Sequence, residues 1–358
     1  MRAAVVGIGW AGQQHIQFYD SIDGVEVVAL AGMETALLGQ LAEQYRVTRT
    51  YADWADLIRE GGLDVLSIAL PTAMHAPVAI AALEAGIHVL TEKPMANNAA
   101  AAQSMVDAAR ANGRVLDVAF NFRRRGEIAA LRRAVDDGLF GRLYTVKASW
   151  LRRSGIPGLG TWFTDPERAG GGPMIDIGVH VLDYTLHVLG EPEVLAVNAN
   201  TYAEFGTRGR GGMKDLSRAG DFEVEDYAVA MLRLEGGGTA LVEASWALLR
   251  EEEDELRLVL YGTEAGADVV LRQPGEPGSI TIYRDDAEGA AADDLLEFGA
   301  HGGHERVVSD FVAKVRAGDS RWARHDGSEA LARTRVIDAI YRSASEGREV
   351  RLDEAVTA

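Results

Sequence analysis

Over residues 1–121 two hydrophobic periods take turns along the chain. Short apolar runs rich in Val, Ile and Leu at Ala3–Ile8, Val25–Ala31, Val65–Leu70, His88–Thr91 and Val115–Ala119 predict strands. Between them, Gly12–Asp20, Thr35–Tyr45, Asp53–Arg59, Ala76–Ala85 and Asn98–Asn112 carry apolar residues at helical spacing. Glycines such as Gly86 and Gly113 stand where those helices should stop. This alternation predicts βαβ units on a parallel, doubly wound sheet.

The pattern changes after Phe122. One helix is predicted at Glu127–Asp137. Leu143–Leu151, Val194–Ala203, Tyr227–Leu234, Thr239–Leu248 and Leu256–Tyr261 then alternate apolar and polar residues, as antiparallel strands with one covered face do. Gly206–Gly220 and the acidic run Glu251–Glu255 read as loop and turn, and helices at about Glu305–Arg316 and Ser328–Ser345 close the chain. The expected fold class is α/β: a doubly wound parallel sheet in residues 1–121, then an α+β domain with a large open, mainly antiparallel sheet in residues 122–358.

Composition narrows the function. With 36 Lys and Arg against 54 Asp and Glu, the 358-residue chain has a formal net charge of −18, a field that repels nucleic-acid backbones. There is no cysteine, which excludes disulfides, Fe–S clusters and thiolate zinc sites. No apolar run approaches the roughly 20 residues that span a bilayer, and the first residues move straight into a strand pattern. A soluble, cytoplasmic protein with neither nucleic-acid nor membrane partners is expected.

The first chemical motif is Gly7-x-Gly9-x-x-Gly12, placed where the first strand hands over to the first helix and enclosing Trp10 and Ala11. Glycines there allow a tight turn and bring backbone N–H groups and a helix N-terminus against a pyrophosphate. The second strand should end in an acid that holds the adenosine ribose. It ends Ala31-Gly32-Met33-Glu34, so either Glu34 substitutes from two residues on or it is merely the first-turn acid of the next helix. No Lys or Arg lies between Arg2 and Arg46 to meet a 2′-phosphate, which favours NAD while leaving NADP open.

Two further segments, Leu70-Pro71-Thr72 and Thr91-Glu92-Lys93-Pro94, fall just past strands, at the edge where open α/β sheets bind ligands. Pro71, Thr72, nearby His75, Glu92 and Lys93 complete the expected cofactor set. The chain has only four lysines, and Lys93, set before a proline at that edge, suits donation to a substrate oxygen. Later, Gly170-Gly171-Gly172-Pro173 precedes Asp176 and His180, four residues apart and expected on one helix face. His180 is a candidate general base, with Asp176 orienting it or joining the substrate; a structural Asp/His pair is the alternative. Asp183 and His187 extend that helix without a third convincing ligand, and His301-Gly302-Gly303-His304-Glu305 reads as a polar loop before a helix, so no metal is expected. Arg123, Arg124, Trp162 and Phe163 are candidate substrate-pocket residues.

Together, Gly7-x-Gly9-x-x-Gly12, Thr91-Glu92-Lys93-Pro94, Asn121-Phe122-Arg123 and Gly170-Gly171-Gly172 followed by Asp176-x-x-x-His180 resemble the glucose-fructose oxidoreductase / inositol dehydrogenase / rhizopine catabolism family, Gfo/Idh/MocA. The resemblance spans nearly the whole chain and departs from the family at Gly32, where an Asp is frequent. It implies an N-terminal Rossmann domain and a C-terminal domain for substrate binding and oligomerisation, usually in homodimers or homotetramers. It also implies Lys93, Asp176 and His180 as the catalytic set. The expected activity is NAD(P)-dependent hydride transfer from a secondary alcohol of a sugar, inositol or related cyclic polyol. Alternatives are a redox-neutral enzyme with tightly bound NAD and a non-catalytic dinucleotide-responsive regulator.

Overall fold

A computed structural model describes residues 1–212, 222–272, 278–286, 289–293, 298 and 302–354. The chain divides into two compact units, one of Met1–Asn121 with Gly302–Thr334 and the other of Phe122–His301 with Arg335–Ala358.

The first unit holds a six-stranded parallel sheet. Its strands are β1 (Arg2–Val6), β2 (Glu26–Ala31), β3 (Arg49–Tyr51), β4 (Val65–Ile68), β5 (His88–Thr91) and β6 (Leu116–Val118), in the order β3-β2-β1-β4-β5-β6. Buried on both faces from Ala3 onward, β1, β4 and β5 are mostly apolar, and the polar residues Ser67, His88 and Thr91 are buried with the rest. The three residues of β3 are half exposed and include Arg49 and Thr50, so no apolar run announced this strand. The strand order reverses between β1 and β4, which opens a crevice at the carboxyl edge of the sheet.

A division of the chain at residue 121 alone assigns 302–334 to the second part, and here the structure corrects the expectation. In the helix Gly303–Arg316, Val307, Val308, Phe311, Val312 and Val315 form an apolar stripe that joins the core of the first unit with Ile16, Tyr19 and Leu30. Lys314 Nζ reaches Asp117 at 2.5 Å, and the Leu116 N–H donates to the His325 carbonyl at 2.8 Å, covering the edge strand β6.

The second unit carries nine described strands: β7 (Leu143–Arg152), β8 (Val194–Tyr202), β9 (Tyr227–Leu234), β10 (Thr239–Ser245), β11 (Asp254–Gly262), β12 (Gly266–Leu271), β13 (Ser279–Asp286), β14 (Gly289–Asp293) and β15 (Val350–Arg351). They run in the order β14-β13-β12-β11-β7-β10-β9-β8-β15, antiparallel except where β10 lies parallel to β7. One face is apolar and buried, with Val146, Ala148 and Trp150 beside Val242, Ala244, Leu256 and Leu258. On the other face Lys147, Ser149, Glu243 and Arg257 alternate with Met231 and Val259, all exposed or half buried. The helix Gly178–Val188 packs on the buried face, close enough that a Cβ on Gly178 would lie 3.0 Å from the Ala244 methyl carbon.

Candidate active site

In the first unit every predicted cofactor residue follows a strand at the carboxyl edge. Gly7 has φ +86°, and a Cβ there would meet the Ala69 carbonyl oxygen at 2.1 Å. A Cβ on Gly12 would lie 1.9 Å from the Gly7 oxygen. The turn is therefore closed by two backbone approaches that leave no space for a side chain. Gly9 differs, for a Cβ there would meet no protein atom within 4 Å. It precedes the 11-residue helix Trp10–Asp20, whose first turn has no acidic residue and no side-chain cap. Open space above free N–H groups at a helix start fits a pyrophosphate. Trp10 lies 68% exposed at this start and Ala11 is half buried.

Past β2, a Cβ on Gly32 would strike Ile8 Cγ1 at 2.6 Å, so an Asp does not fit this position without displacing the core. The Glu34 carboxylate folds back to the same place, its Oε2 3.4 Å from that virtual Cβ. Glu34 is exposed and its side chain does not cap the helix Thr35–Gln44 that it precedes, which leaves the carboxylate at the carboxyl edge just past β2.

The loops after β4 and β5 are tied to each other. Thr72 and His75 are buried, and the His75 ring lies between two backbone carbonyls, Nε2 at 2.8 Å from Leu70 O and Nδ1 at 2.8 Å from Pro94 O. Burial pushes its pKa below that of an ordinary imidazole. Pro71 is half buried and accepts the Met74 N–H. Glu92 is buried: its Oε2 accepts the Lys93 N–H at 3.2 Å, while Oε1 faces His15 Nε2 at 3.1 Å and His304 Nε2 at 3.5 Å. Burial opposes ionisation of Glu92, but the two imidazoles outweigh it and hold the carboxyl well below its usual range. The depressed value stabilises the folded state above the ordinary carboxylate pKa, and that contribution is lost as pH falls through the folded-state value. Glu92→Gln is expected to cost about 1–3 kcal/mol at neutral pH. In urea unfolding the gap from wild type should shrink as the pH drops below about 4.

His304 was placed in a loop by sequence; it lies instead in the first turn of the helix Gly303–Arg316, its ring edge-on to Trp10 with centroids 5.2 Å apart. His301 lies outside the described residues, as does most of the Gly206–Gly220 stretch. Among the described residues no cluster of His, Asp and Glu could hold a metal ion, and no helix is long and apolar enough to cross a membrane.

In the second unit Asp176 and His180 do not share one continuous helix. The backbone forms two segments, Pro173–Asp176 and Gly178–Val188, separated at Ile177 (φ −102°, ψ −31°). Gly178 sits against Met174 Sδ and Ala244 at the break, a closeness only glycine allows. Asp176 Oδ2 accepts the Trp246 indole N–H at 3.0 Å. His180 is 5% exposed, with its ring beside Phe122 (centroids 4.8 Å apart) and Trp150 (6.0 Å). Arg123 is engaged in a two-pronged pair with buried Asp183, its Nε at 2.7 Å from Oδ2. Trp162 and Phe163 stack at 3.8 Å, and Trp162 is half buried. Sequence reading did not single out Trp246 and did not link His304 to Glu92, because the partners stand 70 and 212 positions away and no local period links them.

Comparison with known proteins bears on both units. Residues 1–120 match the model of an oxidoreductase family with an NAD-binding Rossmann fold, and residues 128–268 match the GFO/IDH/MocA C-terminal domain. The D-glucoside 3-dehydrogenase of Escherichia coli K12 is 32% identical over 353 residues, covering 98% of this chain and 97% of that protein. The chain belongs to the Gfo/Idh/MocA oxidoreductase family. The myo-inositol 2-dehydrogenase of Thermotoga maritima is 25% identical over 370 residues, with 99% of this chain and all of that protein covered. Among solved structures, a levoglucosan dehydrogenase in complex with NADH and levoglucosan superposes with a TM-score of 0.82 at 22% identity, over 99% of this chain and 100% of that one. The first unit is the family's NAD-binding Rossmann domain, and the Gly7–Gly12 turn and the carboxylate of Glu34 fit that cofactor.

Proposed function

We propose that this chain is an NAD-dependent dehydrogenase that oxidises a secondary ring hydroxyl of a glycoside, free sugar or cyclic polyol. The observation that carries the reading is the position of Lys93. It follows β5 at the carboxyl edge, its backbone held by Glu92, in the same row of loops as the open Gly9 turn and the Glu34 carboxylate. The relatives that match across nearly the full chain act on compounds of this class, a D-glucoside and myo-inositol.

NAD, when bound, supplies the hydride acceptor. Lys93 donates a hydrogen bond to the reacting oxygen and stabilises negative charge as it develops there. His180 takes the hydroxyl proton, and Asp176, held by the Trp246 indole, fixes a neighbouring hydroxyl or the imidazole. The aromatic surround of His180 keeps water from its ring. Arg123 and Trp162 belong to the substrate side of this proposal, Arg123 through the pair it makes with Asp183. The half-exposed sheet face that bears Met231 and Val259 supports self-association as a homodimer or homotetramer, and the net charge of −18 supports an enzyme without nucleic-acid partners.

The test is a fluorescence titration with NADH and NADPH, followed by an NAD-reduction assay on methyl β-D-glucopyranoside, levoglucosan and myo-inositol. Reduction of NAD with one of these confirms the reading. Tight NADH binding without turnover on ring alcohols defeats it in favour of a regulator or of an internally recycled cofactor. In the same titration Glu34→Ala is expected to weaken NADH by about 10-fold, the loss of one charge-assisted hydrogen bond to the ribose, and to affect NADPH less.

A further inference from the structure

Two of the three glycines before Pro173, Gly171 and Gly172, have a physical cause that points to residues distant in sequence. A Cβ on Gly171 would lie 2.2 Å from Tyr341 Oη, and one on Gly172 would lie 2.1 Å from the Glu225 carbonyl oxygen and 3.0 Å from its carboxyl carbon. The loop is glycine because Glu225 and Tyr341 press directly against its backbone. Glu225 is buried, and its Oε2 accepts the Gly172 N–H at 2.8 Å while Oε1 accepts the Met174 N–H at 3.0 Å. Tyr341 Oη donates to Glu225 Oε1 at 2.9 Å and accepts the Ile175 N–H at 3.2 Å.

The start of a helix leaves its first N–H groups without partners inside the helix. In Pro173–Asp176 the proline has no N–H to satisfy, and the amides of Gly172, Met174 and Ile175 all go to this one carboxylate and phenol. The Asp176 N–H closes back on the Gly172 oxygen at 3.1 Å, so the backbone of Asp176 hangs from the turn that Glu225 and Tyr341 hold. Its side chain is fixed separately by Trp246, whose own N–H donates to the Asp226 carbonyl at 3.0 Å, one residue after Glu225. Backbone and side chain of Asp176 are thus both referred to the Glu225-Asp226 step that leads into β9.

We infer that Glu225 and Tyr341 are a positioning pair that sets the Asp176 carboxylate for turnover and has no part in holding the dinucleotide. The inference rests on the proposed role of Asp176 and adds the residues through which that role is exercised. A buried carboxyl group that accepts from three donors keeps one orientation because any other leaves those donors unpaired. Replacing it by Gln turns an NH2 group toward backbone N–H donors and breaks the turn's register while keeping its volume.

The experiment uses the full chain and compares Glu225→Gln, Tyr341→Phe, the double variant and Asp176→Asn. The readouts are NADH titration, steady-state kinetics on the panel sugar with the highest turnover, and the indole N–H resonance of Trp246, assigned with Trp246→Phe. Glu225→Gln is expected to lower kcat about 10- to 100-fold and Tyr341→Phe about 3- to 10-fold. The double variant should be no worse than Glu225→Gln, as two parts of one device require. NADH affinity should stay within about a factor of two, and the Trp246 resonance should move in each variant. The inference is overturned if Tyr341→Phe, the milder change, keeps both wild-type kcat and the wild-type Trp246 resonance. It also falls if losses of kcat are matched by equal losses of NADH affinity, the mark of general unfolding. Full turnover in Asp176→Asn would defeat the role of Asp176 itself and the pair with it. Collapse in Asp176→Asn with normal turnover in both pair variants defeats only the positioning inference.

Discussion

His180→Ala and Lys93→Ala are each expected to lower kcat by about 10³-fold while NADH binds within about twofold of wild type, because on the proposed mechanism each removes a proton-transfer or charge-stabilising group and leaves the nucleotide loop intact. That loss corresponds to about 4 kcal/mol of transition-state stabilisation. The two losses should not add in the double variant, since base and electrophile act on the same oxygen. For His180→Ala there is a further consequence. The ring fills space between Phe122 and Trp150, so the alanine variant loses packing as well as a base, and His180→Gln separates the two effects by keeping most of the volume. The decisive comparison is single-turnover NAD reduction at several pH values. If His180 is the base, the pH dependence of the wild-type rate changes in His180→Gln, whereas Lys93→Ala keeps it at a lower rate. Turnover near wild type in either alanine variant would remove that residue from the mechanism.

Substitution of the nucleotide turn is expected to show two different outcomes at three glycines. Gly7→Ala must place a methyl 2.1 Å from the Ala69 oxygen at φ +86°, and Gly12→Ala 1.9 Å from the Gly7 oxygen. Neither neighbour is a flexible side chain, so the turn itself must open. NADH affinity should fall at least about 100-fold in both, with a lowered melting temperature. Gly9→Ala meets no protein atom within 4 Å, and its melting temperature should match wild type. Its methyl instead occupies the space into which the pyrophosphate must come, so NADH binding weakens without loss of stability. A Gly9→Ala variant with unchanged NADH affinity would place the phosphates elsewhere.

Much of this could be read in one dimension because it repeats locally. In the first unit five of the six strands and all the crossover helices stood out, since a strand buried on both faces is a continuous apolar run and a crossover helix carries a stripe. The short polar β3 lacked either mark. In the second unit β12 to β15 were not anticipated: the alternation of Ala267, Val269 and Leu271 in β12 spans only six residues, and the two-residue β15 is too short to show a period. The continuous helix expected through Asp176 and His180 failed at Ile177, because Gly178 packs against Met174 and Ala244, and that tertiary contact overrides the helical spacing.

The linear order of residues determined the two-part α/β architecture and the glycine turn at the first strand's end, and it offered Lys93, Asp176 and His180 as candidate groups for acid–base work. Those features depend on local period, turn chemistry and residue type, all of which are written within a few positions of one another. Tertiary structure alone decided that residues 302–334 return to the first unit, that the Glu34 carboxylate lies beside Gly32 where Ile8 crowds out a side chain, and that Glu225 and Tyr341 hold the turn before Asp176. Each of these is a close approach between segments far apart in the chain. Such approaches are selected by burial, volume and the need to pair buried polar groups, and those constraints exist only once the chain has folded.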